Sequence, residues 1–328
     1  MTSSVVHAEV FVAEASFAQQ RIWLIDRLIP GQPTYNVPLG LRARGALGRR
    51  ALETALAGMT ERHEILRTAF DEEEGEPVQL IWSALAVPLP WIDLSALPAG
   101  LREREGHARL DAEAARPFDL KRPPLWRAAV FQLGPEDHLL LFNFNHTVTD
   151  EWSNGLFLRE LLALYGAARE GRPAALPDPP LQYADFAAWQ RQWLQGTALE
   201  RRLGVMGRRL AGIPEALALP ADFPRPAPED PSGNELSFEL PAPLAAGLRE
   251  LARGADATLF MVLLAGLEAL LFRLTGQRDF AVGSPVANRT RVETESVLGL
   301  FVNTVALRAE MGDDLTFRDH LARVRTIA

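Results

Sequence analysis

Apolar residues recur along the chain with two different periods. In residues 36–45, every second position from Val37 to Ala43 is apolar, and this alternation predicts a strand with one buried face. Residues 16–29 show helical spacing instead, with Ser16 as a suitable N-cap and a Pro-Gly pair after the last turn. Both periods recur further along the chain.

The remaining segments are assigned by the same criteria. Helices are predicted at residues 48–62, 153–168 with Ser153 as N-cap, 182–211, 242–254, 259–274 with Thr258 as N-cap, and from 317 onward. Strands are predicted twice within residues 65–82, as a hairpin at 125–133 and 138–146, and at 236–241, 279–286 and 300–310. This mixture of helices and strands predicts an α/β fold.

Proline marks two places where the pattern stops. Residues 171–180 contain four prolines, which favours a domain boundary. We therefore predict an N-terminal lobe at residues 1–172 and a C-terminal lobe at residues 173–328. Residues 212–234 are also rich in proline and are predicted to form an extended crossing segment.

Composition narrows the possible classes of function. The 328 residues carry a net charge of -8, which argues against a nucleic-acid binder and leaves small molecules and protein partners open. The chain contains no cysteine, so disulfides, thiolate nucleophiles and cysteine-ligated zinc are excluded. No secretory signal is visible, and the longest apolar run, residues 259–267, is too short to span a bilayer. We therefore expect a soluble, cytoplasmic protein.

One stretch, FNFNHTVTDEWS at residues 142–153, carries the candidate chemistry. An apolar strand ends at His146, and Asp150 follows in a strand-to-helix loop, where functional side chains are often placed. A lone histidine there is also commonly a hydrogen-bonded structural group. Two ligands are too few for a zinc site, so no metal is expected. Ser284 lacks the Gly-x-Ser-x-Gly elbow of α/β-hydrolases, and the chain has no phosphate-binding glycine loop.

The segment FNHTVTDEWS resembles the His-His-x-x-x-Asp-Gly signature of condensation domains from nonribosomal peptide synthetases. Further segments resemble this family's other motifs and occur in the family's order. They are SFAQQRIWLIDRL at 16–28, RHEILRTAF at 62–70, YADFAAWQR at 183–191, LPADFPRP at 219–226, VGSPVANR at 282–289 and LGLFVNTVALR at 298–308. Together they cover nearly the whole chain.

The resemblance implies a chloramphenicol acetyltransferase-like fold, in which two related lobes enclose a tunnel. Upstream and downstream carrier proteins would each present a substrate on a phosphopantetheine arm, next to an adjacent adenylation domain. The downstream amine would attack the upstream thioester to form an amide during antibiotic or other secondary-metabolite synthesis. The domain itself would bind no cofactor. Family members continue past the last motif, so the second lobe is expected to be incomplete.

His146 holds the catalytic position of this signature. An α-amino group has a pKa of about 7.7–8.0 and thioesters leave readily, so the enzyme needs mainly to position the reactants and to accept the amine proton. Neutral imidazole can accept that proton near pH 7. The signature's aspartate pairs with an arginine in the family, and Arg62 and Arg67 are the candidate partners of Asp150.

Two positions depart from the signature. Asn145 replaces its first histidine and, by strand alternation, is predicted to point away from the catalytic histidine and to support the loop. Glu151 replaces its glycine and adds bulk and charge. Trp152 is expected to pack under the loop, and Trp152, Ser284 and Asn303 are candidates for lining the tunnel.

Two alternatives to an amide-forming condensation domain remain open. Departures at these two positions also occur in condensation-like domains that recruit partner proteins without catalysis. The second alternative is an acyltransferase of the same superfamily that forms an ester or amide with a soluble substrate. The sequence identifies neither the acyl donor nor the acceptor.

Overall fold

The computed structural model describes residues 9–224, 233 and 236–328. By compactness the chain divides into two units. The first takes the residues up to Gln195 together with Ala287–Asn303, and the second takes Gly196–Val286 together with Thr304–Ala328. The lobe boundary predicted between residues 172 and 173 stays a prediction. The predicted α/β class is confirmed.

Strands of the described residues form three sheets. In chain order they are β1 (Val10–Glu14), β2 (Asn36–Arg44), β3 (Thr68–Glu73), β4 (Glu76–Trp82), β5 (Trp91–Asp93), β6 (Trp126–Gly134), β7 (Asp137–Asn145), β8 (Asp279–Val286) and β9 (Asn303–Glu310). The first unit holds a sheet of order β1-β4-β3 and a sheet of order β2-β7-β6-β5, and β8 pairs with β9. In the four-stranded sheet β5 runs parallel to β6, and the other pairs are antiparallel.

The helices of the described residues follow in chain order. They are α1 (Phe17–Leu28), α2 (Arg49–Arg62), α3 (Ala99–Ala114), α4 (Glu151–Glu170), α5 (Tyr183–Trp193), α6 (Gly196–Leu210), α7 (Ala242–Gly254), α8 (Leu259–Thr275) and α9 (Phe317–Ile327). The predicted caps of two of them are confirmed: the Ser16 hydroxyl accepts from the Gln19 N–H at the start of α1, and Thr258 caps α8.

The four-stranded sheet is covered on both faces, which explains the continuous apolar run in β7. Along β6, Trp126 and Ala128 enter the larger core, while Ala129 and Phe131 enter a smaller core on the other face. Strands buried on both faces are uniformly apolar rather than alternating. Because β7 is held along its whole length, its last residue, Asn145, gives the following loop a rigid base.

In the second unit, α7, α8 and α9 enclose a small core with β8 and β9. Its buried members include Val262, Ala265, Leu307, Leu321 and Val324. Within the described part of the chain, no single helix has the length and hydropathy to cross a membrane. The helices α7 and α8 meet the criterion only as a pair bent by 104°.

Two predicted elements differ from the structure. The helix predicted at residues 182–211 is two helices, because the chain leaves the helical path before Gly196, which has a φ of +53°. Residues 236–241 form no strand. Leu236 and Phe238 alternate with polar residues as predicted, but both are exposed. An alternating segment forms a strand only where a neighbouring strand pairs with it. Of the predicted crossing segment, residues 225–232 and 234 lie outside the described residues.

The sequence patterns also missed β1, β5 and α3. The sequence of α3 is mostly charged and alanine, and Gly106 is its only buried residue. Its apolar stripe is therefore too thin to show a helical period. The strand β5 has only three residues, too few to show alternation.

Candidate active site

The loop after β7 places His146 directly at the end of the strand. The His146 N–H donates to the Tyr35 carbonyl at 2.7 Å, and the Val148 N–H donates to the Asn145 carbonyl at 3.0 Å. The backbone therefore turns immediately after the strand. The imidazole is half-buried, whereas residues 147–150 are buried. The ring thus retains solvent access on a loop that is otherwise fixed.

One hydrogen bond determines which nitrogen of His146 carries the proton. Nδ1 lies 2.7 Å from the carbonyl oxygen of Thr149. A carbonyl oxygen can only accept, so Nδ1 carries the proton in the neutral ring. Nε2 is then left with a lone pair and can accept a proton. The loop therefore presents His146 as a base through Nε2.

Asn145 and Gln19 support the turn from two sides. Asn145 Oδ1 accepts from the Thr147 N–H at 3.0 Å and from the Thr147 hydroxyl at 2.7 Å. Gln19, on α1, donates through Nε2 to the Thr147 carbonyl at 3.1 Å. An asparagine amide can make such bonds without titrating. The replacement of the family's histidine by Asn145 therefore leaves the loop supported.

Asp150, which is 2% exposed, ties the loop to a distant segment of the same unit. Its Oδ1 accepts from the Ser153 N–H at 2.8 Å, so Asp150 rather than Ser153 is the N-cap of α4. Its Oδ2 accepts from the N–H groups of Phe301 and Val302 at 2.9 and 3.2 Å. Nη2 of Arg289 lies 3.2 Å from Oδ1.

The bonds from the N–H groups of Phe301 and Val302 to Asp150 also explain why the strand predicted from residue 300 begins only at residue 303.

The prediction that Asp150 pairs with Arg62 or Arg67 is wrong. Arg62 is the last residue of α2, and Arg67 ends the short 3-10 helix that follows, Glu64–Arg67. Both are engaged by other groups. Arg62 donates through Nε to Glu160 at 2.7 Å, and Arg67 donates through Nε to the Trp82 carbonyl at 2.6 Å. The true partner of Asp150 follows it by 139 residues.

Arg289, the true partner, is a buried cation with a 1% exposed side chain. Its guanidinium donates to the carbonyls of Thr294 and Val297 and lies 4.0 Å from the ring centroid of Phe301. Burial lowers the pKa of Arg289, and the carboxylate of Asp150 opposes that shift. Because an arginine pKa starts so high, Arg289 remains protonated at neutral pH.

Ser153 joins the same network through its hydroxyl. The hydroxyl oxygen accepts from Arg289 Nη2 at 2.7 Å and from the Gly299 N–H at 3.1 Å, and its proton goes to the Gly299 carbonyl at 2.8 Å. One donor and two acceptor positions exhaust the capacity of a hydroxyl. The start of α4 is therefore tied to the LGLFVNT segment by Ser153 as well as by Asp150.

Gly299 is required where it stands, because the backbone touches the ring of Tyr183. A Cβ at this position would lie 2.0 Å from Tyr183 Cδ2, and the φ of +152° is one that other residues rarely adopt. Tyr183 is itself fixed, since its hydroxyl donates to the Leu300 carbonyl at 2.5 Å and lies 2.8 Å from the Ser16 hydroxyl. The glycine of the LGLFVNT segment, Gly299, is thus explained by packing.

Replacing Gly299 by alanine is expected to lower the free energy of unfolding by about 2–4 kcal/mol, because the Cβ overlaps a fixed ring and the backbone is strained. Urea unfolding measures the change. Gly166→Ala on α4 is the matched control, since its Cβ meets nothing within 4 Å. A loss for Gly299→Ala no larger than that of the control would contradict this packing.

Arg62 belongs to a second buried cluster, centred on Glu160 of α4. Glu160 Oε2 lies 2.7 Å from His63 Nε2 and 2.7 Å from Arg62 Nε. Burial alone would raise the pKa of Glu160, but hydrogen bonds and charges of His63 and Arg62 hold it below the ordinary 4.5. The cluster fastens the end of α2 to α4, so the first two residues of RHEILRTAF, Arg62 and His63, hold these two helices together.

The lowered pKa of Glu160 predicts a loss of stability in acid. A carboxyl whose folded pKa lies below its unfolded value stabilises the fold above the unfolded pKa, and this is lost as the pH falls through the folded value. We expect the stability difference between wild type and Glu160→Gln to be largest at pH 7 and to shrink below pH 4.5. Urea unfolding from pH 7 to pH 3 measures it. A difference that does not change over this range would contradict the assignment.

The remaining predicted site residues lie in different places. Trp152 is not packed under the loop: it is 44% exposed, and its indole N–H donates to the Glu295 carbonyl at 2.9 Å. Glu151 is exposed at the first position of α4. Ser284 is buried in β8 of the second unit, and Asn303 is exposed at the start of β9. Their lining of a tunnel stays a prediction.

Comparison with known proteins places these features in one family. The model of the family described as Condensation domain matches residues 11–328. The chain is 47% identical over 313 residues to a subunit of linear gramicidin synthase from Brevibacillus parabrevis, and 44% identical over 310 residues to phosphinothricin tripeptide synthetase PhsC of Streptomyces viridochromogenes. These matches cover 95% and 94% of this chain but only 4% and 28% of those proteins, so the chain spans a minor part of its curated relatives.

Solved structures agree with this result. The first condensation domain of the CDA synthetase matches with a TM-score of 0.79 and 25% identity over 97% of this chain and 75% of that one. The X-domain from teicoplanin biosynthesis, in a complex with OxyB, matches with a TM-score of 0.85 and 30% identity over 99% and 70%. The fold is thus of the chloramphenicol acetyltransferase-like class, and the enzymes of nonribosomal peptide synthesis in this class are acyltransferases that form peptide bonds. The chain belongs to the condensation-domain family.

Proposed function

We propose that this domain joins a carrier-bound acyl or peptidyl thioester to a carrier-bound aminoacyl group, forming an amide, and that His146 is its catalytic residue. The observation that carries this proposal is the bond from Nδ1 of His146 to the Thr149 carbonyl, which leaves Nε2 as a proton acceptor. The half-buried position of the ring leaves it accessible to a substrate.

In the proposed reaction, the nitrogen of the downstream amine attacks the carbonyl carbon of the upstream thioester. The new C–N bond forms and the C–S bond breaks. Nε2 of His146 accepts the proton that the amine loses, and that proton then neutralises the departing thiolate. The upstream phosphopantetheine arm is left as a free thiol. An α-amino group titrates at about pH 7.7–8.0, so a weak base placed correctly is sufficient.

The substrates and partners of this reaction are part of the same proposal. Two carrier proteins would deliver the substrates, and an adenylation domain would load the acceptor. The similarity to a tripeptide synthetase of Streptomyces viridochromogenes supports this setting. The domain would need no cofactor of its own. A cytoplasmic location stays a prediction.

A second function is favoured by one specific comparison. The teicoplanin X-domain, solved as a complex with OxyB, matches with a TM-score of 0.85, and Asn145 and Glu151 depart from the signature. A domain of that kind would bind a partner protein and transfer nothing. Identities of 47% and 44% to peptide synthetases favour condensation instead.

Intact-protein mass spectrometry of the two carriers separates these functions. The upstream carrier is loaded with an acyl group and the downstream carrier with an amino acid, and the domain is then added. Condensation is supported if the downstream carrier gains the mass of the acyl group while the upstream carrier loses it. Unchanged masses with a folded domain would exclude the proposed reaction for that substrate pair and favour the recruiting function.

A further inference from the structure

We infer that Thr149 and Asn154 form a positioning pair that keeps Nε2 of His146 free, an inference that rests on the proposed function of His146. Thr149 Oγ1 donates to Asn154 Oδ1 at 2.8 Å. Both side chains are buried, with 3% and 6% of their surface exposed. Neither residue occupies a defined position of the signature, in which only the two histidines, the aspartate and the glycine are specified.

The pair acts on the one peptide group that orients the imidazole. The carbonyl that receives the Nδ1 proton belongs to the peptide bond between Thr149 and Asp150. Asp150 fixes one side of this peptide as the N-cap of α4. The Thr149 side chain fixes the other side through Asn154, whose own N–H donates to the Asp150 carbonyl at 2.9 Å. Both ends of the peptide are therefore anchored to the start of the same helix.

Thr149→Val leaves the buried Asn154 Oδ1 without this donor, which costs more than the bond itself contributes. In Asn154→Ala the Thr149 hydroxyl keeps only its longer contact with the Asp150 carbonyl, at 3.3 Å. The loop can relieve this by rotating the peptide of Thr149 away from Nδ1. The His146 ring then loses the bond that keeps its proton on Nδ1, and part of the population carries the proton on Nε2. A ring in that form presents a donor where the reaction needs an acceptor.

Two variants, Thr149→Val and Asn154→Ala, break the bond from opposite ends. We expect each to slow single-turnover transfer about fivefold to tenfold, the factor associated with one net hydrogen bond. Nitrogen-15 spectra of the histidine-labelled chain should show a new Nε2-protonated population of His146, assigned by its loss in His146→Ala. The double variant should be no slower than the slower single one, because the two changes remove the same bond.

Two control variants separate an effect on the orientation of the His146 ring from a general loss of stability. Thr149→Ser keeps the hydroxyl and should retain the wild-type tautomer and rate. Thr60→Val makes the same chemical change at a buried threonine of α2, whose hydroxyl donates to the Leu56 carbonyl, and should leave both unchanged. Urea unfolding confirms that each variant is folded before its rate is compared.

The outcomes distinguish this inference from the function on which it rests. If the His146 tautomer and the rate are unchanged in folded Thr149→Val and Asn154→Ala, the positioning role is overturned while the function stands. If His146→Ala transfers as fast as wild type, the catalytic proposal fails, and the tautomer spectra still decide whether the pair orients the ring.

Discussion

Replacing His146 by alanine is expected to slow amide formation between two loaded carriers by about 10²–10⁴-fold, the usual contribution of a general base. The variant keeps the bonds that build the loop, since Asn145, Thr147 and Asp150 are held by groups other than the imidazole. It loses the acceptor that the loop presents through Nε2. Single-turnover rates from rapid quench, with carriers and domain at fixed concentrations, measure the change.

The matched control is His107→Ala, because His107 lies on α3 with an exposed side chain. This variant removes the same ring from the same unit and should keep the wild-type rate. The unfolding curve of His107→Ala should overlay that of wild type, and that of His146→Ala should show a domain that is fully folded under the assay conditions. A His146→Ala rate within twofold of wild type would remove His146 from the mechanism.

Replacing Asp150 by alanine is expected to lower the free energy of unfolding by about 3–5 kcal/mol, the cost of leaving a buried charge without its partner. Arg289 would remain buried at 1% exposure with its charge uncompensated. The N–H groups of Phe301 and Val302 would lose their acceptor, and α4 would lose its N-cap. Urea unfolding at pH 7 measures the loss.

Two further variants test the physical reason for that loss. Asp178→Ala removes a fully exposed carboxylate that lies 3.8 Å from Arg62, and its unfolding curve should overlay that of wild type. Asp150→Ala combined with Arg289→Met removes both charges and should recover part of the stability. A double variant less stable than Asp150→Ala would show that the buried charge is not the source of the loss.

Elements of this fold that depend on local contacts could be predicted from the sequence. The β6–β7 hairpin was predicted because two apolar runs lie close together in the sequence, and α1 because Ser16 is a suitable N-cap before residues with helical spacing; the structure has both. Residues 236–241 show the opposite case: they alternate as a strand does, but a strand also needs a hydrogen-bonded neighbour, which local sequence does not encode.

The same limit applies to the candidate site. The loop and the supporting position of Asn145 were predicted, because their contacts lie within a few residues of His146. The partner of Asp150 was not, because 34 lysines and arginines were available and the correct one lies 139 residues away. The segment VGSPVANR, which contains Arg289, resembles a family motif, but nothing in one sequence connects it to Asp150.

Chemical rescue tests the central claim, that an imidazole at position 146 accepts the proton of the attacking amine. His146→Gly removes the ring and leaves space where it stood. We predict slow transfer in this variant and a rate that rises with the concentration of added imidazole, while wild type does not respond. A variant that transfers at the wild-type rate without imidazole, or whose slow rate imidazole leaves unchanged, would contradict the claim.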